Sequence, residues 1–261
     1  MSDTNEMIKG FEVLAANEGR VLSIQNSIPD QILNEQVKKS LKGNLCGNTV
    51  VLDHGNGWRT QYCHLMKDSV IVEPGEYVES GQPLGLLGLS GFTTYPHLEF
   101  ILQKDDQFID PFHSLKDKSK CGKQTRSLWK YSQEIPYSDS IVISSNFSET
   151  LPKLIEVMLG NHSPPFLTRD IKRLVFWVQI LGAKKGDIHS IFITNQEGKI
   201  ISQSLKNILV TNEAVGIFSI VHNIGSGKFK PGLYKGNFVV ERDSNGAKTI
   251  IEQHTNQILL K

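Results

Sequence analysis

The sequence is poor in the features that mark several common protein classes. Cys46, Cys63 and Cys121 are its three cysteines in 261 residues, too few for a disulfide scaffold. No apolar run approaches the roughly 18 residues of a membrane helix, and the longest, Leu174 to Leu181, is interrupted by Gln179. The opening MSDTNEMIKGFEVLAANEGR shows no basic stretch followed by an apolar one. The chain is therefore read without a secretory leader, and as cytoplasmic if Met1 is its genuine start. A formal net charge of +1 excludes a strongly basic nucleic-acid binder. What is present is ordinary: 39% hydrophobic and 21% charged residues, enough apolar material for a packed core and against intrinsic disorder.

Charge is unevenly distributed. Met1 to Leu115 holds 8 Lys+Arg against 15 Asp+Glu, a net of −7, and the remainder holds 20 against 12, a net of +8. With a length prior of one or two domains, this favours two modules. The expected organisation is a first domain over 1–115, a polar, Lys-rich connector with a short helix over 116–168, and a second domain over 169–261.

The expected fold class is all-β. Short apolar runs at Glu12 to Ala16, Thr49 to Leu52, Ser69 to Val72 and Leu98 to Leu102 are bounded by Gly, Asn or Pro and read as strands. Asp53-His54-Gly55-Asn56-Gly57 reads as a hairpin turn, because Gly and Asn tolerate the positive φ such turns require. Helices are expected at Pro29 to Lys42 and Leu151 to Leu159. Strands resume at Leu174 to Ile180, His189 to Thr194, Gly216 to Val221, Tyr234 to Arg242 and Thr249 to Glu252, a spacing that suggests a smaller β-sandwich.

Residues able to carry chemistry concentrate between Cys46 and Phe112. His64 ends the strand read over Trp58 to Cys63, and Tyr95-Pro96-His97-Leu98-Glu99-Phe100 places a His and a carboxylate two apart, hence on one face of a strand. Such a pair can bind metal, act as acid and base, or simply hydrogen-bond. The last is the commoner role for an isolated His-x-Glu. His54 reads as a turn or packing histidine. Trp58, Tyr62 and Tyr95 could line a groove, although aromatics on strands more often pack. Cys46 and Cys63 flank the proposed hairpin within disulfide reach, a bridge expected of an exported protein.

Four blocks, Gly47 to Trp58, Gln61-Tyr62-Cys63-His64-Leu65, Val78 to Gly85 and Gly91 to Leu98, resemble the lysostaphin-type (LytM) zinc peptidases, over about Phe11 to Phe112. The resemblance implies an antiparallel β domain with a groove, followed here by the sandwich-like domain. It also implies peptidoglycan or its peptides as partner, with a second cell-wall hydrolase as a further one, and a cell-envelope or periplasmic location. In that family zinc is held by an N-terminal His-x-x-x-Asp and by the second His of a later His-x-His. Two other histidines assist the metal-bound water. His64 and His97 match the assisting positions, and Tyr62 and Tyr95 would line the substrate groove. Glu99 stands where the third ligand is a His, and no His precedes His54.

A catalytic zinc needs three protein ligands and one open position. The expectation is therefore weak or absent zinc, Glu99 being the one candidate metal residue, and a catalytically degenerate cell-wall protein. The alternative is an active zinc endopeptidase whose first motif lies upstream of Met1. A second alternative, a structural or carrier-like β protein, draws on the turn Val72 to Gln82, which is similar to that of biotinyl and lipoyl carriers. The carriers' lysine is missing from Pro83 to Gly88.

Overall fold

The computed structural model describes residues 4–113, 127–130, 137–138, 140–161, 167–225, 227–244 and 246–261. It divides into two compact units, Met1–Tyr137 and Ser138–Lys261. The stretch 114–126, with Cys121 and most of the Lys-rich run, lies outside the described residues, as does 131–136.

The first unit contains α1 (Thr4–Met7), β1 (Glu12–Leu14), β2 (Gly19–Gln25), α2 (Glu35–Ser40), β3 (Asn48–Gly55), β4 (Trp58–Leu65), β5 (Tyr77–Val78), β6 (Pro83–Leu86), β7 (Glu99–Lys104) and β8 (Gln107–Ile109). An antiparallel six-stranded sheet runs in the order β5-β2-β3-β4-β7-β8, and β1 pairs with β6 in a separate ribbon. In β3 every second residue faces inward, so Val50 and Leu52 are buried while Val51 and Asp53 are less so. They join Val13, Val21, Tyr62, Leu65, Val78 and Leu84 in one core. The β3–β4 turn is Asn56-Gly57 with φ of 50° and 78°, the left-handed pair whose twist matches that of the strands it joins.

Two expected elements are corrected. The helix read over Pro29 to Lys42 is confined to Glu35–Ser40, capped by the Asn34 side chain, which accepts from the amides of Gln36 and Val37. Asp30 is used elsewhere: its carboxylate accepts from the amides of Lys67 (2.9 Å) and Leu89 (2.6 Å). Ser69 to Val72 forms no strand, because the Asn26 side chain bonds both the amide and the carbonyl of Val70 and replaces a ladder partner.

The second unit contains β9 (Ile141–Ser148), α3 (Leu154–Met158), β10 (Arg173–Ala183), β11 (Ile188–Thr194), β12 (Ile200–Ile208), β13 (Glu213–Asn223), β14 (Gly232–Ser244) and β15 (Ala247–Leu260). Its two antiparallel sheets, β13-β10-β9 and β12-β11-β14-β15, share a core that includes Phe147, Leu174, Phe176, Val178, Ile193, Phe238 and Leu260. The stretch read as connector thus supplies a strand, β9, to this unit. β10 is buried on both faces from Leu174 to Ile180. Gln179 sits within it at no cost to its carbonyl, which accepts from Ser144 Oγ at 2.7 Å.

Candidate functional site

The site is built where β4 ends and β7 begins. Opposite Thr49, between the pairs Asn48–Leu65 and Val50–Tyr62, strand β4 carries an extra residue. This is a β-bulge, a device that re-aims a side chain. His64 lies in it with φ of 64°, a left-handed conformation that costs a non-glycine residue about 1–3 kcal/mol and persists only where its surroundings enforce it. The enforcing contacts are visible. The His64 amide donates to the Cys46 carbonyl (2.8 Å), and its own carbonyl accepts from Gly88 (2.9 Å).

His64 is 3% exposed. Its Nδ1 lies 2.7 Å from the Ser90 carbonyl, which can only accept, so in the neutral ring Nδ1 carries the proton and Nε2 the lone pair. Nε2 faces Glu99 Oε2 at 3.2 Å. Burial pulls the imidazole below its ordinary range, the Ser90 carbonyl resists, the neighbouring His97 adds to the lowering, and Glu99 opposes it.

His97 does not belong to the strand in which it was expected: β7 begins at Glu99. It lies in the irregular lead-in, where Nδ1 sits 2.9 Å from the Tyr95 carbonyl. Its ring stacks on Tyr95 (centroids 4.5 Å) and stands 4.9 Å from that of His64. His64, His97, Glu99 and Tyr95 are thus brought together, by a bulge and a backbone bond rather than by strand alternation. Burial raises the Tyr95 phenol above its ordinary range.

Tyr62 is a correction. It is 1% exposed within the core, and its hydroxyl accepts from the Ala16 amide at 2.7 Å, so it lines no groove. His54 lies apart from the site, with Nδ1 2.6 Å from the Glu18 carbonyl and Nε2 2.8 Å from Thr60 Oγ1. Cys46 and Cys63 form a disulfide.

Residue type gave no signal for Ser90, which holds the site from behind. Its hydroxyl donates to the Leu65 carbonyl (2.7 Å) and accepts from the Asn48 amide (2.8 Å), while its carbonyl fixes His64. Asn48 is likewise buried, with its side chain bonded to Ile28 and to the Leu65 carbonyl.

Residues 6–111 match the family model described as Peptidase family M23. The match lies within the first unit. Peptidoglycan DD-endopeptidase ShyA of Vibrio cholerae is 46% identical over 56 residues, 22% of this chain and 13% of that protein. The peptidoglycan DD-endopeptidase ShyC of the same organism is 41% identical over 64 residues, 24% of this chain and 14% of that one. The matched segment therefore spans about one seventh or less of these relatives' length. The catalytic domain of lysostaphin from Staphylococcus simulans is 25% identical, with 39% of this chain and 68% of that one covered and a TM-score of 0.29.

The M23 family is one of zinc metallopeptidases, so zinc is the ion that this donor set would have to hold. Both histidines have Nδ1 against a backbone carbonyl and Nε2 turned away, the disposition of a metal ligand. However, Nε2 of His64 is already opposed by the Glu99 carboxylate. No three His, Cys, Asp or Glu side chains among the described residues converge closely enough to hold a metal ion. As arranged, the described residues of the matched segment do not fit a three-ligand zinc centre.

Proposed function

We propose that the segment matching the M23 family binds the peptide portion of peptidoglycan in a groove ended by His64, His97, Glu99 and Tyr95, and does not hydrolyse it. The observation that carries this reading is the Glu99 carboxylate, at the position of a family ligand histidine, facing Nε2 of His64 at 3.2 Å. A hydrolytic centre requires that nitrogen and its neighbours to serve an activated water. Here it is opposed by an acceptor instead.

The same geometry suits binding. With His97 Nδ1 against the Tyr95 carbonyl, the groove end presents the His97 Nε2 lone pair and the half-exposed Glu99 carboxylate, both acceptors for the amide N–H groups and ammonium groups of a peptide. In this reading His97 contacts the ligand, the buried His64 holds Glu99 in place at the groove end, Glu99 anchors the ligand's donors, and the stacked Tyr95 supplies an apolar wall. The chain acts in the cell envelope, where a second cell-wall hydrolase is its further partner and the sandwich over 138–261 is an accessory docking unit.

The test is incubation of the purified chain with isolated sacculi, with and without added zinc, followed by co-sedimentation and chromatography of soluble muropeptides. Binding without new muropeptides is expected under both conditions. Release of new peptides, abolished by His97→Ala, would establish the endopeptidase reading instead.

A further inference from the structure

The disulfide lies at the back of the site, and the backbone around it forms a short stack. The segment Leu45–Gly47 passes between the end of β4 and the segment Ser90–Phe92. On one side the Cys46 carbonyl accepts the His64 amide at 2.8 Å, and on the other the Leu45 carbonyl accepts the Phe92 amide at 2.7 Å. The packing has no slack. A Cβ on Gly47 would lie 2.5 Å from the Ser90 carbonyl, and one on Gly91 would lie 2.5 Å from the Leu45 carbonyl. Ser90 in turn holds His64 Nδ1 at 2.7 Å. The chain of contact therefore runs from Cys63 through the disulfide to Cys46, across to Ser90, and back to the ring of the residue that follows Cys63.

Besides these two backbone bonds, Gln61 Nε2 of β4 donates to Cys46 Sγ at 3.2 Å. Lys42, Gly43 and Gly47 all have positive φ, at 47°, 88° and 67°. This loop has no ladder partner among the described residues, and β3 starts only at Asn48. The single covalent tie to β4 is the bond to Cys63, opposite Glu99 in the β4–β7 pairing.

We infer that the Cys46–Cys63 disulfide is the positioning element that fixes the His64 imidazole in the groove, and that thiol–disulfide exchange there converts His64 from a fixed to a mobile side chain. Cys63 is fully buried and Cys46 is partly exposed, so exchange starts at Cys46. A thiolate of an external dithiol bonds to Cys46 Sγ, and the Cys63 sulfur leaves as thiolate and takes a proton. The second thiol of the reagent then closes the reagent's own disulfide and releases Cys46 as a thiol. Two electrons and two protons pass from the dithiol to the protein. Once freed, the segment no longer presses Ser90 onto Nδ1, and the left-handed conformation of His64 loses one of the contacts that enforce it.

The test uses the full chain in a Cys121→Ser background, so that only this pair exchanges. Imidazole 15N spectra and amide hydrogen exchange are recorded on the oxidised protein, after dithiothreitol, and after reoxidation. The oxidised protein should show a single, narrow His64 signature with Nδ1 protonated. Reduction should average the two nitrogen shifts and raise exchange at the His64 amide at least tenfold, reversibly, while Val50 and Leu52 stay protected. The double variant Cys46→Ala/Cys63→Ala should reproduce the reduced spectrum.

An unchanged His64 signature on reduction would overturn the inference. So would loss of protection at Val50 and Leu52 in both the reduced protein and the double variant, since the bridge would then be a staple of the whole domain. None of these readouts uses peptidoglycan, so a failure of the binding reading above is distinguished from a failure here.

Discussion

Arg242 grips Asp187 through two parallel bonds, Nε to Oδ1 at 2.6 Å and Nη2 to Oδ2 at 2.8 Å. The carboxylate is 1% exposed and also accepts from the Lys184 amide at 2.8 Å, while Nη2 reaches Ser140 Oγ at 2.8 Å. Burial alone would raise the Asp187 carboxyl, but Arg242 and the Lys184 amide outweigh it and hold it below the ordinary range. The pair joins β14 to the turn before β11 and, through Ser140, to the start of β9.

Removing one member of such a pair leaves the other charged and poorly hydrated. Asp187→Ala should therefore destabilise the second unit by about 3–5 kcal/mol. Chemical denaturation followed through Trp177, which lies in β10, reads this directly. A loss near that of an exposed pair, under about 1 kcal/mol, would show that the pair contributes little.

His189 gives the second unit a pH dependence of definite sign. It is 3% exposed and packs edge-on against Phe218 at 4.3 Å. Burial lowers its imidazole, with Asp187 opposing. The folded state thus holds His189 neutral, whereas the unfolded chain takes up a proton near pH 6.5. Stability from this group is fully present above about pH 6.5 and is lost as pH falls from there through the lower folded value. Denaturation midpoints from pH 7.5 to pH 5 should fall, and His189→Phe should flatten the slope. An equal slope in the variant would assign the effect to other groups.

Asn48 is fully buried, and its side chain ties the Ile28 segment to the end of β4. Asn48→Ala strands the amide and carbonyl of Ile28, while the Leu65 carbonyl keeps its bond from Ser90, and should cost about 1–3 kcal/mol. It should also broaden the His64 resonances, since the lost Nδ2 bond loosens the Leu65 carbonyl, which also accepts from Ser90 Oγ. Intact His64 signals together with lowered stability would confine Asn48 to a structural part.

Glu99 is roughly half exposed, 48% at the side chain, so Glu99→Gln should leave the midpoint of the first unit within about 1 kcal/mol of wild type. If the carboxylate anchors donors of a bound peptide, the same change should weaken muropeptide binding roughly tenfold, about 1.4 kcal/mol. Calorimetric titration with equal affinity for both proteins would remove Glu99 from the ligand site.

Much of this was legible in the sequence, and the failures have local causes. The β3–β4 hairpin is written in Asn56-Gly57, because φ above zero is a property of those residues themselves. The resemblance blocks located the segment that matches the M23 family through residues close in sequence. β9 was missed because Ile-Val-Ile-Ser-Ser-Asn-Phe-Ser is half polar, and its strand state comes from pairing with β10, some thirty residues later. Tyr62 was assigned to the groove because a tyrosine on an alternating strand can face either way. Its direction is settled by the Ala16 amide, 46 residues distant. His97 and Glu99 were read as strand neighbours, but His97 precedes β7 and is held by the Tyr95 carbonyl, which has no signature in residue type.

The left-handed backbone at His64 sets two selective pressures against each other. Glycine or asparagine would occupy that conformation with less strain, yet neither offers an imidazole to the groove. A library screened for heat resistance and one screened for ligand capture should therefore part company at this position, the first drifting toward small or amide side chains and the second holding histidine.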